Sequence, residues 1–244
     1  MHSLQQIAAQ LESLEETIIF KLIDRAQFKQ NSTVYKAGKS GFAENPDASL
    51  FHLRLLYHER MDAQFGRFCV PEERPFNSDL PQPRRSITMR DTGLQIDNYD
   101  AVNLTHEIGE SYLKLLPRMC RRGDDGHYGS SVEHDVYAVQ AIARRIHYGA
   151  LYVAESKYRG DQDTYAQMIR RNDRCELMQH LTRKEIEERI IDRVREKVAY
   201  AQGRINEDLR IKIDPESVLT YYRDYIIPLT KEGEVRYLLQ RPSS

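Results

Sequence analysis

Arg144, Arg145 and Lys157 are cations that could hold an anion, yet no recognisable catalytic motif surrounds them. The chain has no glycine-rich phosphate loop, no G-x-S-x-G turn and no H-E-x-x-H pair. The Glu-x-x-His step of helix-bundle di-iron sites is also missing. Metal and nucleotide chemistry are therefore not expected, and no cofactor is called for. On pattern alone the three cations read as the solvated face of a helix. Cys69, Cys120 and Cys175 are odd in number and widely spaced, which fits neither a disulfide framework nor a zinc ribbon.

The elements that must position any site come from a chain of 244 residues, enough for one large domain or two small ones. Apolar residues at 40% and charged residues at 30% place it among globular proteins rather than disordered or membrane ones. The net charge of -1, from 36 basic and 37 acidic residues, gives no global field toward nucleic acid or an acidic membrane. No stretch approaches the roughly 18 apolar residues of a membrane span, and the first residues lack a signal-peptide pattern, so a cytoplasmic location is expected. Two sequons, at Asn31 and Asn103, carry no weight without a secretory route.

Leu4, Ile7, Leu11, Leu14, Ile18 and Leu22 follow the three-and-four spacing of one helix face. Leu50, Leu53, Leu56 and Met61 predict a second helix from Asp47 to about Phe65. Pro71, Pro75, Pro81 and Pro83 disfavour helix and strand interiors, so about 69–100 is expected to be a long loop within a single domain spanning 1–244. Ser130-Ser131-Val132-Glu133 offers a capping box for a helix reaching about Tyr158, and Thr182-Arg183-Lys184-Glu185 offers another before Ile186, Ile190, Val194 and Val198. Asp214-Pro215 starts a last helix, with proline where its missing N–H costs nothing. No alternating run is long enough for a sheet, and the chain reads as an all-α multi-helix bundle.

Three segments, compared whole, go further than periodicity. Thr17 through Arg25, Arg144-Arg145-Ile146-His147-Tyr148-Gly149 with Val153 through Tyr158, and Ile227 through Glu232 with Tyr237-Leu238-Leu239 resemble the eukaryotic-type helical chorismate mutases. They occur in family order at the start, middle and end of the chain. The resemblance implies an all-helical homodimer that rearranges chorismate to prephenate without a cofactor, an isomerase of the shikimate pathway serving phenylalanine and tyrosine biosynthesis. Chorismate carries two carboxylates, and its ether C–O bond breaks ahead of C–C bond formation, so negative charge builds on the ether oxygen. Preorganised donors aimed at that charge, plus confinement of the reactive conformer, suffice for catalysis.

By position, Arg145 resembles the family's carboxylate-binding arginine, whose fork holds a carboxylate bidentately. Lys157 resembles the lysine that reaches a carboxylate and the ether oxygen. Glu187 matches the acidic residue near the substrate hydroxyl, and Thr230 with Glu234 match the family's last pair; in fungal members the glutamate there must be protonated to donate. The family's first-helix arginine falls on Ala8, and no arginine or lysine precedes Lys21. Arg183, an asparagine in fungal members, either restores that charge or points into solvent. The second outcome would leave a catalytically silent homologue acting as a helical binding protein.

Arg145 and Lys157 are twelve residues apart where the family has eleven, which in a regular α-helix swings them apart by roughly 120°. A single π-bulge near Gly149-Ala150-Leu151 would absorb the extra residue. Fungal members also bind tyrosine or tryptophan at a dimer-interface site. Arg67, Gly129 and Ser130 match parts of it, but Gly66 replaces an arginine and Glu133 a threonine, so weak regulation is expected.

Overall fold

The apolar stripe that begins at Leu4 folds as α1 (Leu4–Arg25), burying Ile7, Leu14, Ile18, Ile19, Leu22 and Ile23. Its start is fixed by a capping box: the Gln6 amide donates to the Ser3 hydroxyl at 3.2 Å, and the Ser3 amide donates to the Gln6 side chain at 2.8 Å. The structure, a computed structural model, describes residues 3–242. After α1 come α2 (Leu50–Gln64), α3 (Thr105–Met119) and α4 (Tyr128–Tyr148). A π-helical segment, Gly149–Val153, joins α4 to α5 (Ala154–Gly160). There follow α6 (Gln162–Arg171), α7 (Arg174–Leu181), α8 (Lys184–Gln202), α9 (Pro215–Tyr221), a second π segment at Tyr222–Ile226, and α10 (Ile227–Gln240). No strand occurs among the described residues, in agreement with the all-α expectation.

Both expected capping boxes fail. Helix α4 starts at Tyr128, so Ser130 lies inside its first turn, and no side chain caps His127 at the boundary. The local acceptors are instead Asp124 for the Gly126 amide and Asp125 for the His127 amide, which anchor the loop ahead of the helix. Thr182 ends α7 rather than starting α8: its hydroxyl donates to the Met178 carbonyl at 2.8 Å, and Arg183 stands at the N-terminal boundary of α8 with no side chain capping it. The expected second and last helices begin close to where the sequence puts them, with Ser49 accepting from the His52 amide and Asp214 from the Glu216 and Ser217 amides.

The loop expected over about 69–100 is irregular apart from short 3₁₀ turns at Arg67–Cys69 and Tyr99–Val102. It is nonetheless anchored. Glu59 on α2, buried, accepts from the Phe76 and Asn77 amides at 2.8 and 2.9 Å and from the Asn77 side chain at 2.7 Å.

Helices α1 and α4 make the central pair. Ile18, Ile19, Leu22 and Ile23 share one core with Val132, Val136, Val139 and Ile142. At one end of this pair Arg25 and Asp135, both fully buried, meet at 2.6 Å, and Tyr35 and Tyr112 each donate to Asp135 at 2.7 Å. Both carboxylate oxygens thereby have donors, two on Oδ1 and one on Oδ2, the kind of hydrogen bonding under which a buried ion pair is tolerated. Helix α10 crosses the π segment through small residues. A Cβ on Gly149 would meet Thr230 Cγ2 at 2.7 Å, and one on Gly233 would meet Ala150 Cβ at 2.5 Å. These two glycines set how closely α10 approaches α4 and α5, and so the spacing of the side chains between them.

Candidate active site

The π segment at Gly149–Val153 is the irregularity expected between Arg145 and Lys157. The widened turn restores both side chains to one face, and both line a cleft of about 530 Å³ walled by α1, α4, α5, α6, α7, α8 and α10. Arg183, Glu187, Thr230 and Glu234 line the same cleft, so all six residues assigned by resemblance come together there.

Their contacts are specific. Arg145, only 3% exposed, donates from Nη1 to Thr230 Oγ1 at 3.0 Å. The Thr230 hydroxyl donates to the Ile226 carbonyl at 2.7 Å, so its oxygen is oriented as an acceptor for the arginine. Arg145 Nε is buried with no hydrogen-bond partner among the described residues. A buried unsatisfied donor is costly, and one on a guanidinium beside an open cleft is a place for an anion. Behind Arg145 lies Glu15, fully buried and clasped by Arg193 at 2.7 and 2.9 Å, with Arg145 Nη2 at 3.9 Å. Burial works to raise the Glu15 pKa, but Arg193, Arg145 and Lys197 together hold it below the ordinary value. This carboxylate therefore stays ionised and backs Arg145 with a fixed negative charge.

Lys157 Nζ donates to Glu234 Oε2 at 2.7 Å. Burial pushes the Glu234 carboxyl above its ordinary pKa, and the opposing pull of Lys157, Arg145 and Lys231 offsets only part of that rise. Glu187 Oε1 accepts from Lys231 Nζ at 2.9 Å. Arg183, exposed at the boundary ahead of α8, lines the cleft. Burial and then Glu234 push the Tyr165 hydroxyl up to about 12 while Arg183 pulls it back, so the charges of Arg183 and Glu234 both act on that wall. Ala8 is exposed on α1, between Leu4 and Leu11, which line the cleft.

The arrangement sets cations that can bind a dianion around a carboxyl whose pKa burial raises, and lines the rest of the cleft with Leu11, Val153, Leu181, Ile186 and Ile190. No family model matches the chain. A chorismate mutase of Schizosaccharomyces pombe is 37% identical to it over 245 residues, covering 98% of this chain and 96% of that protein. The chain belongs to the chorismate mutase family. Two solved chorismate mutases carry the same fold. The Candida albicans protein Aro7p, in complex with L-Trp, matches with a TM-score of 0.90 at 33% identity over 98% of this chain and 91% of that one. The chloroplast chorismate mutase of Zea mays matches at 0.86 and 36%, over 97% and 94%.

Beyond the cleft, the three residues that the resemblance assigned to an effector site do not assemble within this chain. Arg67 is held by Asp62 at 2.6 Å, by Glu73 at 2.9 Å and by Gln140 at 2.8 Å. Gln140 lies ten residues along α4 from Ser130, roughly 15 Å of helix. Gly129 and Ser130 are exposed in the first turn of α4. Sequence reasoning missed Lys231 and the buried Glu15. Lys231 lay inside a quoted family segment. Glu15 carried one available signal, an acidic residue beside Leu14 on the otherwise apolar face of α1.

Proposed function

We propose that this cleft converts chorismate to prephenate, with no cofactor, as a step toward phenylalanine and tyrosine, and that residues 1–244 act as one domain. The observation that carries the reading is the buried Arg145 guanidinium, held by Thr230, backed by Glu15 and left with a free Nε at the cleft wall. In this reading Arg145 grips one carboxylate. Lys157 serves the ether oxygen and a carboxylate, Arg183 supplies the charge that Ala8 lacks, and Glu187 accepts the ring hydroxyl. Protonated Glu234 donates to the ether oxygen as charge develops there. Binding the reactive conformer is most of the work, since the rearrangement breaks and forms its bonds within one molecule.

Loss of chorismate absorbance on adding the purified protein is the direct test. Absence of turnover at millimolar chorismate would sink the enzyme reading and leave a silent homologue. If Arg183 stands in for the missing first-helix cation, Arg183→Ala loses a charge-assisted contact and kcat/KM falls about ten- to hundredfold. Unchanged kinetics would refute the compensation.

The proposed location is the cytoplasm; no helix of the described residues is long and apolar enough to cross a membrane. The proposed assembly is a homodimer. Tyr57 and Met61 on α2 and Phe65 at its C-terminal cap, four apart, are 44%, 49% and 76% exposed, an apolar stripe that a second copy would cover. Regulation by an amino acid is proposed to be weak. Asp62 and Glu73 already occupy Arg67, and Glu133, paired with Arg54 at 3.2 Å, brings a carboxylate to the start of α4. Tyrosine or tryptophan is expected to change the rate less than about twofold, since an effector carboxylate must displace two internal ones. A saturable several-fold response contradicts this, and a monomer by light scattering overturns the dimer.

A further inference from the structure

Lys231 lines the same cleft but has no role in the scheme above. It follows Thr230 on α10, and its Nζ donates to Glu187 Oε1 at 2.9 Å and to Thr182 Oγ1 at 3.3 Å. The Thr182 hydroxyl proton is committed to the Met178 carbonyl, so Thr182 offers the ammonium a lone pair and nothing else. The chain of contacts runs from the end of α7 through Thr182 and Lys231 to the first turn of α8. Both charged side chains are largely covered, Lys231 at 18% exposure and Glu187 at 28%. An exposed ion pair of this kind would contribute little and wander. Here Thr182 fixes one partner, so the geometry of the other is set as well. Glu187 Oε1 is occupied, and Oε2 has no donor among the described residues.

We infer that Lys231 is a positioning residue for Glu187, holding one carboxylate oxygen so that the other accepts the hydroxyl of the substrate ring. The inference rests on the chorismate reading. A carboxylate on a helix start rotates among several rotamers, and the Lys231 contact selects one of them. Lys231 removes that freedom before substrate arrives. Because the hydroxyl is unchanged as the ether bond breaks, the contact serves ground state and transition state alike, and its loss appears in KM.

Steady-state kinetics of the full chain on chorismate and on the analogue with hydrogen in place of the ring hydroxyl test this. Lys231→Met is expected to lower kcat/KM for chorismate about thirtyfold, nearly all of it through KM, and Lys231→Arg to recover most of the loss. On the deoxy analogue the Lys231→Met loss is at least about tenfold smaller, and the same holds for chorismate in a Glu187→Gln background. Equal losses on the two substrates, or an undiminished loss beside Glu187→Gln, would overturn the role. If Lys231→Met does not fold, Lys231→Arg and Glu187→Gln on both substrates still decide it: the glutamine variant must lose discrimination for the hydroxyl and the arginine variant must keep it. A parent protein inactive on chorismate overturns the functional reading along with this one, whereas an active parent with the wrong substrate dependence overturns only the part given to Lys231.

Discussion

Arg145→Ala is expected to lower kcat/KM for chorismate about a thousandfold, corresponding to about 4 kcal/mol of transition-state stabilisation. Arg145 is almost fully buried and its Nη1 is fixed by Thr230, while Nε has no acceptor among the described residues. The guanidinium is thus preorganised for a ligand, and little ordering remains to offset the contact when one binds. Removing it would leave a substrate carboxylate facing Glu15 with no cation between them. Arg145→Lys keeps the charge but not the planar fork, and is expected to recover no more than about tenfold of the loss. Stability should change little by comparison, because Glu15 keeps Arg193 at 2.7 Å and Lys197 at 3.3 Å. Kinetics of both variants, with thermal melts to confirm folding, check this. An alanine variant within tenfold of the parent would show that Arg145 does not hold the substrate.

How far such a site is legible beforehand depends on which interactions leave a local pattern. Helices α1 and α8 announce themselves because each buries one face over many turns, and α9 because Asp214-Pro215 is a local capping signal. Helix α3 carries a comparable stripe, Ile108, Tyr112, Leu115 and Met119, but Pro117 in its last turn and the proline-rich stretch before it obscured the pattern. Helices α6 and α7 are ten and eight residues long, too short for periodicity, and their marks were the caps Asp161 and Asp173 with left-handed Asn172 between them. The two failed capping boxes show the reverse error. A four-residue signature states what Thr182 could do and not which neighbouring helix claims its hydroxyl first.

The site itself is made of pairs distant in sequence: Arg145 with Thr230, Lys157 with Glu234, Glu187 with Lys231. Nothing in local spacing marks such pairs; the resemblance named Arg145, Lys157, Glu187, Thr230 and Glu234, and Lys231 was missed. Helical register was the exception. Counting twelve residues where eleven keeps one face was enough to place the π segment, because two side chains that must meet the same ligand leave no other solution in a continuous helix. The second π segment, Tyr222–Ile226, had no such pair of endpoints and went unseen.

The pH dependence follows from the most enclosed acid of the site. Glu234 is 4% exposed, and burial raises its pKa more than Lys157, Arg145 and Lys231 lower it. Two substrate carboxylates entering the cleft add like charge and push the same way. The sign then follows: the neutral acid that can donate to the ether oxygen is fully present below the raised pKa and is lost as pH rises through it. The parent's rate is therefore expected to be greatest in mildly acid solution and, two pH units above the midpoint, to have fallen about a hundredfold. Glu234→Gln keeps a donor of the same shape that cannot ionise. It is expected to hold its rate within about threefold across that range, overtaking the parent on the alkaline side, with a plateau no more than about tenfold below the parent's own. Lys157 bears on the result, because glutamine cannot form the 2.7 Å ion pair and leaves the lysine free for the substrate throughout. Rate profiles of the two proteins, taken at saturating and at low chorismate, decide the matter. A variant that falls in parallel with the parent would assign the titration to another group and remove the protonated glutamate from the mechanism.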